Sequence, residues 1–160
     1  MKETYKQATN KRSVQRRTLQ GSGRFIGLGG PDIRDYVKQV RKAGFKDITI
    51  YEKDVKVYTK QRRELPRGVK LIYGDITDNL QDKDAFYDLD FCASIVKIED
   101  KILNKIAKIK NFSLTFALRP ISLYDTVQRL WRHCKVPYIT YKDTHGMVVF
   151  YKHKKQNNVS

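Results

Sequence analysis

The chain is short of cysteine, of acidic residues and of long apolar runs, and each shortage removes a class of protein. Only Cys92 and Cys134 occur, in no metal-type or redox-type pair. A disulfide-stapled scaffold is thereby excluded, and a reducing compartment is expected. His133, His145 and His153 have no metal-ligand spacing to one another or to the cysteines, so no bound metal is expected. No window approaches the roughly 18 uncharged apolar residues of a membrane span, and the N-terminus lacks an apolar signal core. The expectation is a soluble, intracellular, cytoplasmic protein that does not enter a membrane.

What is abundant is positive charge. Thirty-three Lys and Arg stand against seventeen Asp and Glu, a formal net charge of +16 with a pI near 9.9. A field of that sign attracts polyanions, and nucleic acid (DNA or RNA) is the partner it points to. Residues 1–24 carry Lys2, Lys6, Lys11, Arg12, Arg16, Arg17 and Arg24 against the single acid Glu3, and end in Gly21-Ser22-Gly23. They read as a basic, flexible N-terminal arm. Residues 154–160, opening with Lys154-Lys155, read as a polar C-terminal tail. The candidate phosphate contacts are Lys11, Arg12, Arg16, Arg17, Lys154 and Lys155. A protein partner or a homo-oligomer is also compatible with a domain this small.

With 160 residues, 40% of them apolar, the chain can bury one core. Strand-like and helix-like segments alternate through 25–153. Strands are expected at 24–28, 47–51, 69–73, 85–93, 111–118, 138–141 and 147–151. Ile33, Val37 and Val40 mark a helix face that Pro31 opens as its first residue and Gly44 closes. Ile95, Ile98, Ile102, Ile106 and Ile109 fall at helical spacing and predict one amphipathic helix. Leu123, Val127, Leu130, Trp131 and Cys134 mark another. Alternation of this kind requires right-handed crossovers. The fold class is therefore α/β, a Rossmann-like three-layer sandwich whose mostly parallel seven-stranded sheet ends in an antiparallel hairpin. Tyr138, Tyr141 and Tyr151 in that hairpin suit base stacking and half-buried strand positions equally.

The first strand runs into Gly27-Leu28-Gly29-Gly30, where backbone can come close to a ligand. The second ends at Glu52, placed to accept hydrogen bonds from ribose hydroxyls. The third glycine of a dinucleotide loop is missing, and Asp32 would oppose a pyrophosphate at the helix start; a helix-favouring first-turn acid explains Asp32 equally well. A nucleotide- or NAD-binding protein is therefore the weaker reading. Cys92 offers a thiolate nucleophile, but a small buried cysteine in a core strand is the expectation for it.

The element order, the glycine loop, Glu52, Gly74-Asp75 and the closing hairpin together resemble a class I S-adenosylmethionine-dependent methyltransferase over residues 24–153. The resemblance implies S-adenosylmethionine as cofactor, held by Gly27, Gly29 and Gly30 at its methionine part, Glu52 at its ribose and Asp75 at its adenine. The segment Asp88-Leu89-Asp90-Phe91 is similar to the Asp-Pro-Pro-Tyr type motif of enzymes that methylate base amines. It implies catalytic roles for Asp88, Asp90 and Phe91, with Asp90 orienting an exocyclic amine and Phe91 stacking on the base. The two prolines are absent, as is the acid that precedes the glycines in the family. These departures support the alternative, a catalytically inactive nucleic-acid-binding or partner subunit that has kept the fold.

Overall fold

A computed structural model describes residues 2–4, 14, 18–142 and 146–153. Its strands are β1 (Lys2–Thr4), β2 (Arg24–Gly27), β3 (Asp47–Glu52), β4 (Lys70–Tyr73), β5 (Phe86–Asp90), β6 (Asn111–Ala117), β7 (Tyr138–Tyr141) and β8 (Met147–Lys152). Among the described residues the helices are α1 (Ile33–Lys42), α2 (Val55–Glu64), α3 (Asp100–Ala107) and α4 (Leu123–Trp131), with 3₁₀ turns at Ile76–Asp78 and Ile95–Lys97. No helix among the described residues is long and apolar enough to cross a membrane.

All eight strands join one sheet in the order β1-β7-β8-β6-β5-β2-β3-β4. Strand β8 runs antiparallel to both its neighbours, β6 and β7, and every other pairing is parallel. The seven expected strands and the terminal hairpin are present. The addition is β1, which pairs with β7 through Lys2 opposite Tyr138. Within 1–24, Val14, Thr18 and Leu19 are also buried.

Strand side chains alternate between faces, so neighbouring residues feed different layers. Phe25 and Phe86 join Ile33, Val37, Val40, Phe45, Ile48 and Ile50 beneath α1. Ile26, Tyr87 and Leu89 turn the other way, toward Leu103 and Ile106 of α3 and Val127 and Leu130 of α4. The rings of Phe25 and Phe86 stack with centroids 6.0 Å apart, and Phe45 tilts onto both. Burying a side chain of that size contributes roughly 1.5–3 kcal/mol. Tyr138 and Tyr141 of the hairpin are buried in the sheet.

Two helix expectations are corrected. Pro31 lies outside α1, because Asp32 is the N-cap: its carboxylate accepts a hydrogen bond from the Asp35 amide at 3.2 Å. Aspartate at that position satisfies a donor that the first turn cannot. The isoleucine stripe is core, but it is not one helix. Ser94 caps a 3₁₀ turn over Ile95–Lys97, Ile98 is extended (φ −103°, ψ 124°), and α3 starts only after Glu99. A 3₁₀ turn repeats every three residues, so it meets the 95-to-98 spacing as well as an α-helix would.

Candidate active site

In a sheet of this kind ligands bind beyond the carboxyl ends of the strands, where the strand order reverses. Here the chain runs outward from β2 through β3 to β4, then returns to place β5 on the other side of β2. A cavity of about 650 Å³ opens at that point. Ligand pockets commonly measure about 300–1,000 Å³. It is lined by the loop 28–31 after β2, Glu52 and Lys53 at the end of β3, residues 74–78 after β4, and Asp90, Phe91 and Cys92 at the end of β5. Residues 97–99, 101 and 102 complete it, together with Tyr36 from α1.

The glycines divide into two kinds. A Cβ on Gly27 would lie 2.6 Å from the Tyr36 hydroxyl and 2.8 Å from the Phe25 ring, so this glycine makes room inside the protein. Gly27 does not line the cavity. Gly29 and Gly30 do. A Cβ on Gly29 would press Ile50 at 3.1 Å, whereas Gly30 has φ +62° and open space beside it. The Gly30 carbonyl accepts a hydrogen bond from Nε2 of the buried Gln61 on α2 at 2.8 Å, which fixes the loop from below.

Glu52 and Asp75 stand at the ends of adjacent strands, which the Gly74 amide ties together by donating to the Glu52 carbonyl at 2.9 Å. One Glu52 carboxylate oxygen accepts from the Asp54 amide at 2.9 Å; Asp54 in turn caps α2 through Lys56 and Val57. Asp75 accepts from both the amide and the hydroxyl of Thr77, at 2.9 and 2.7 Å. Partial burial pushes the Asp75 pKa up. The Thr77 hydrogen bonds and the Lys53 ammonium outweigh it and hold the carboxyl below its ordinary value.

The segment after β5 is turned by its own side chain. Asp90 Oδ1 accepts from the Cys92 amide at 3.1 Å and the Cys92 thiol at 3.2 Å, while Cys92 takes a left-handed φ of 49°. Such a φ costs a non-glycine residue roughly 1–2 kcal/mol. Phe91 is pinned by its amide to the Thr115 carbonyl and by its ring, which stacks on Phe116 at 5.7 Å. Strand β5 ends at Asp90, so Cys92 lies beyond it and is exposed. That corrects the expectation of a buried cysteine.

Asp88 does not reach the cavity. It is 5% exposed and pairs in register with Gly27. Its Oδ2 accepts a 2.5 Å hydrogen bond from the Tyr36 hydroxyl. Tyr36 belongs to no motif of the sequence; its one signal is a hydroxyl-bearing ring one turn beyond Ile33, on the helix that follows a glycine-ended strand. Of the residues expected at the site, Gly29, Gly30, Glu52, Asp75, Asp90 and Phe91 meet in one cavity, and Gly27 and Asp88 lie beneath it. Lys11, Arg12, Arg16, Arg17, Lys154, Lys155 and His145 fall outside the described residues.

No protein-family model and no curated protein matches the sequence. Solved structures do match. TrmK of M. capricolum, in complex with S-adenosyl-homocysteine, has a TM-score of 0.62 at 14% identity, over 94% of this chain and 71% of its own. A Streptococcus pneumoniae protein assigned as a tRNA (m1A22) methyltransferase, bound to S-adenosyl-L-methionine, has a TM-score of 0.63 at 12% identity, over 92% of this chain and 75% of its own. PH1948 of Pyrococcus horikoshii, assigned as an RNA methyltransferase, has a TM-score of 0.59 at 12% identity, over 89% and 81%. The chain has the Rossmann-like fold of these proteins.

Proposed function

We propose that this chain is a methyltransferase that uses S-adenosylmethionine to modify a nucleic-acid base, with an exocyclic amine as acceptor. The sign of the charge in the cavity carries the reading. In a chain of net charge +16, the cavity is lined by Glu52, Asp75, Asp78, Asp90 and Glu99 against only Lys53, Lys97 and Lys101. Such a lining opposes a pyrophosphate and suits a ligand with an ammonium and a sulfonium group.

The residues present fit that cofactor. Gly29 and Gly30 bring bare backbone to the cavity wall, and Gly30 has no neighbour within 4 Å of where a Cβ would stand. Glu52 would hold the ribose hydroxyls, and Asp75, kept ionised by Thr77, would meet the adenine. Bound there, S-adenosylmethionine would supply a methyl group on positively charged sulfur. The protein's own task is then positioning. Asp90 accepts an N–H of the acceptor amine and aims its lone pair, while Phe91, immobilised on Phe116, offers a flat apolar face to the base. Asp88 and Tyr36 hold the floor. The terminal cations Lys11, Arg12, Arg16, Arg17, Lys154 and Lys155 would add phosphate affinity.

The alternative, an inactive subunit that has kept the fold, drew on the missing acid and prolines. The Asp90–Cys92 turn offers a fixed loop without proline, whereas the carboxylate nearest the missing acid, Asp88 opposite Gly27, is turned onto Tyr36 beneath the cavity. The test is transfer of labelled methyl groups to DNA, tRNA and protein pools. Incorporation into nucleic acid is expected, with Asp90→Ala lowering it by about 100-fold or more. Equal transfer in Asp90→Ala would remove the role of Asp90, and none in the parent protein would leave the inactive subunit.

A further inference from the structure

Among the described residues, four large apolar side chains are exposed: Val55, Tyr73, Val96 and Tyr124. Their positions are not scattered. Val55 follows β3, Tyr73 ends β4, Val96 follows β5 and Tyr124 follows β6. All four therefore lie at the carboxyl end of the sheet, the end that carries the cavity.

Tyr124 is the most exposed of them, at 71%. It stands in the first turn of α4, which Ser122 caps by accepting from the Asp125 amide at 3.1 Å. Tyr73 rests edge-on against Tyr58 at 5.2 Å. Tyr124 has neither a ring partner nor a hydrogen bond among the described residues. Helix α4 packs against the 3₁₀ turn Ile95–Lys97, so Val96 and Tyr124 belong to adjoining elements. Arg129 fastens the two further by donating to the Ile98 carbonyl at 2.7 Å. Lys97 and Ile98 of that same stretch line the cavity.

Exposed cations lie on the segments that adjoin these residues, and the exposed acid Asp125 follows Tyr124 directly. Lys97 adjoins Val96, and Arg119 lies in the loop that leads into α4; both are exposed, and neither has an acidic partner among the described residues. The nearby Glu99 is paired with Lys101 at 3.4 Å. An exposed aromatic face on a helix that packs against a cavity-lining turn, with exposed cations on the two segments that adjoin it, is a combination that suits a single nucleic-acid strand. A base stacks on the ring and its phosphates meet the cations.

We infer that Tyr124, with Val96, Lys97 and Arg119, is the platform on which a nucleotide next to the acceptor base stacks, so that the substrate is a single-stranded or unpaired segment. The inference rests on the nucleic-acid reading proposed above, and it adds where the strand runs: from Phe91 at the cavity outward over the 3₁₀ turn to α4. It also lets a compact domain select unpaired substrate, because a base inside a duplex has no free face to stack.

Fluorescence anisotropy with labelled single-stranded RNA, single-stranded DNA and duplex DNA of equal length tests this. Tyr124→Ala should weaken single-strand binding by roughly 5- to 150-fold, the range for loss of one base–aromatic stack. It should leave duplex affinity and the slope of log affinity against log salt unchanged. Tyr124→Phe should bind as the parent does, because the π face survives. Lys97→Ala should reduce the salt slope by roughly 0.7, the value of one single-strand phosphate contact. Parental melting temperatures confirm that the variants fold. Equal single-strand affinity in Tyr124→Ala, or equal losses in the Phe and Ala variants, would overturn the platform. The RNA and DNA arms show which strand it prefers. S-adenosylmethionine calorimetry on the same preparations reports on the cofactor reading independently, so either can fail without the other.

Discussion

The Tyr36 hydroxyl and the Asp88 carboxylate meet under the glycine loop, and this pair explains why residue 27 must be small. Burial raises the Tyr36 phenol well above its ordinary pKa, and the adjacent Asp88 charge raises it further. The folded phenol therefore titrates above the unfolded one. The contribution of this hydrogen bond is complete below about pH 10 and is lost as the pH climbs through the folded value. Tyr36→Phe removes the donor and takes one hydrogen bond from a buried carboxylate. Hydrogen bonds to charged groups are worth about 1.5–3 kcal/mol, and a loss of that size is expected in the urea midpoint with an unchanged slope. The variant should also lose part of the parent's alkaline destabilisation. Stability equal to the parent at neutral pH would contradict the role of the pair. At this scale the sequence was half legible. Glu52 and Asp75 are read correctly as strand-end acids, because an acid after an apolar strand has few other places to go. Asp88 is misread as facing the cavity, because which of two carboxylates in Asp88-Leu89-Asp90 is buried depends on register with β2 and on a tyrosine 52 residues away.

At the level of elements, a Cβ on Gly27 of β2 would stand against Tyr36 of α1, so a side chain there tests their packing. Gly27→Ala would place a methyl group against the Tyr36 hydroxyl and the Phe25 ring, both under 3 Å. Overpacking of a tight interior costs typically about 1–3 kcal/mol, and a fall of that order in stability is expected from denaturant titration. In the double variant with Tyr36→Phe, one of the two collisions disappears, so the combined loss should be smaller than the sum. Strict additivity would show that the hydroxyl does not limit the space. Element types were legible from periodicity, and strands β2 to β8 lie close to their expected spans. Breaks inside a periodic run were not. Ser94 capping a 3₁₀ turn and Ile98 turning extended leave the isoleucine spacing intact while ending one element and starting another. Local side chain to backbone hydrogen bonds decide such breaks, and hydrophobic spacing does not record them.

Over the whole molecule, charge is segregated. The chain is strongly basic, yet the cavity carries five carboxylates and three lysines, and the exposed apolar residues gather on the same end of the sheet. Net charge was legible from composition. Its separation was not, since the acids stand at or beyond the ends of β3, β4 and β5 and just before α3, which only the strand order β5-β2-β3-β4 brings together. The same order converts a weak glycine cluster into one wall of a pocket, and it makes the choice of ligand a question of charge. Isothermal titration of the protein with S-adenosylmethionine and, separately, with NAD decides it. Saturable one-to-one binding of S-adenosylmethionine, with Glu52→Ala weakening it and NAD producing no heat, is the predicted result. Absence of S-adenosylmethionine binding at millimolar ligand, or tighter binding of NAD, would contradict the account.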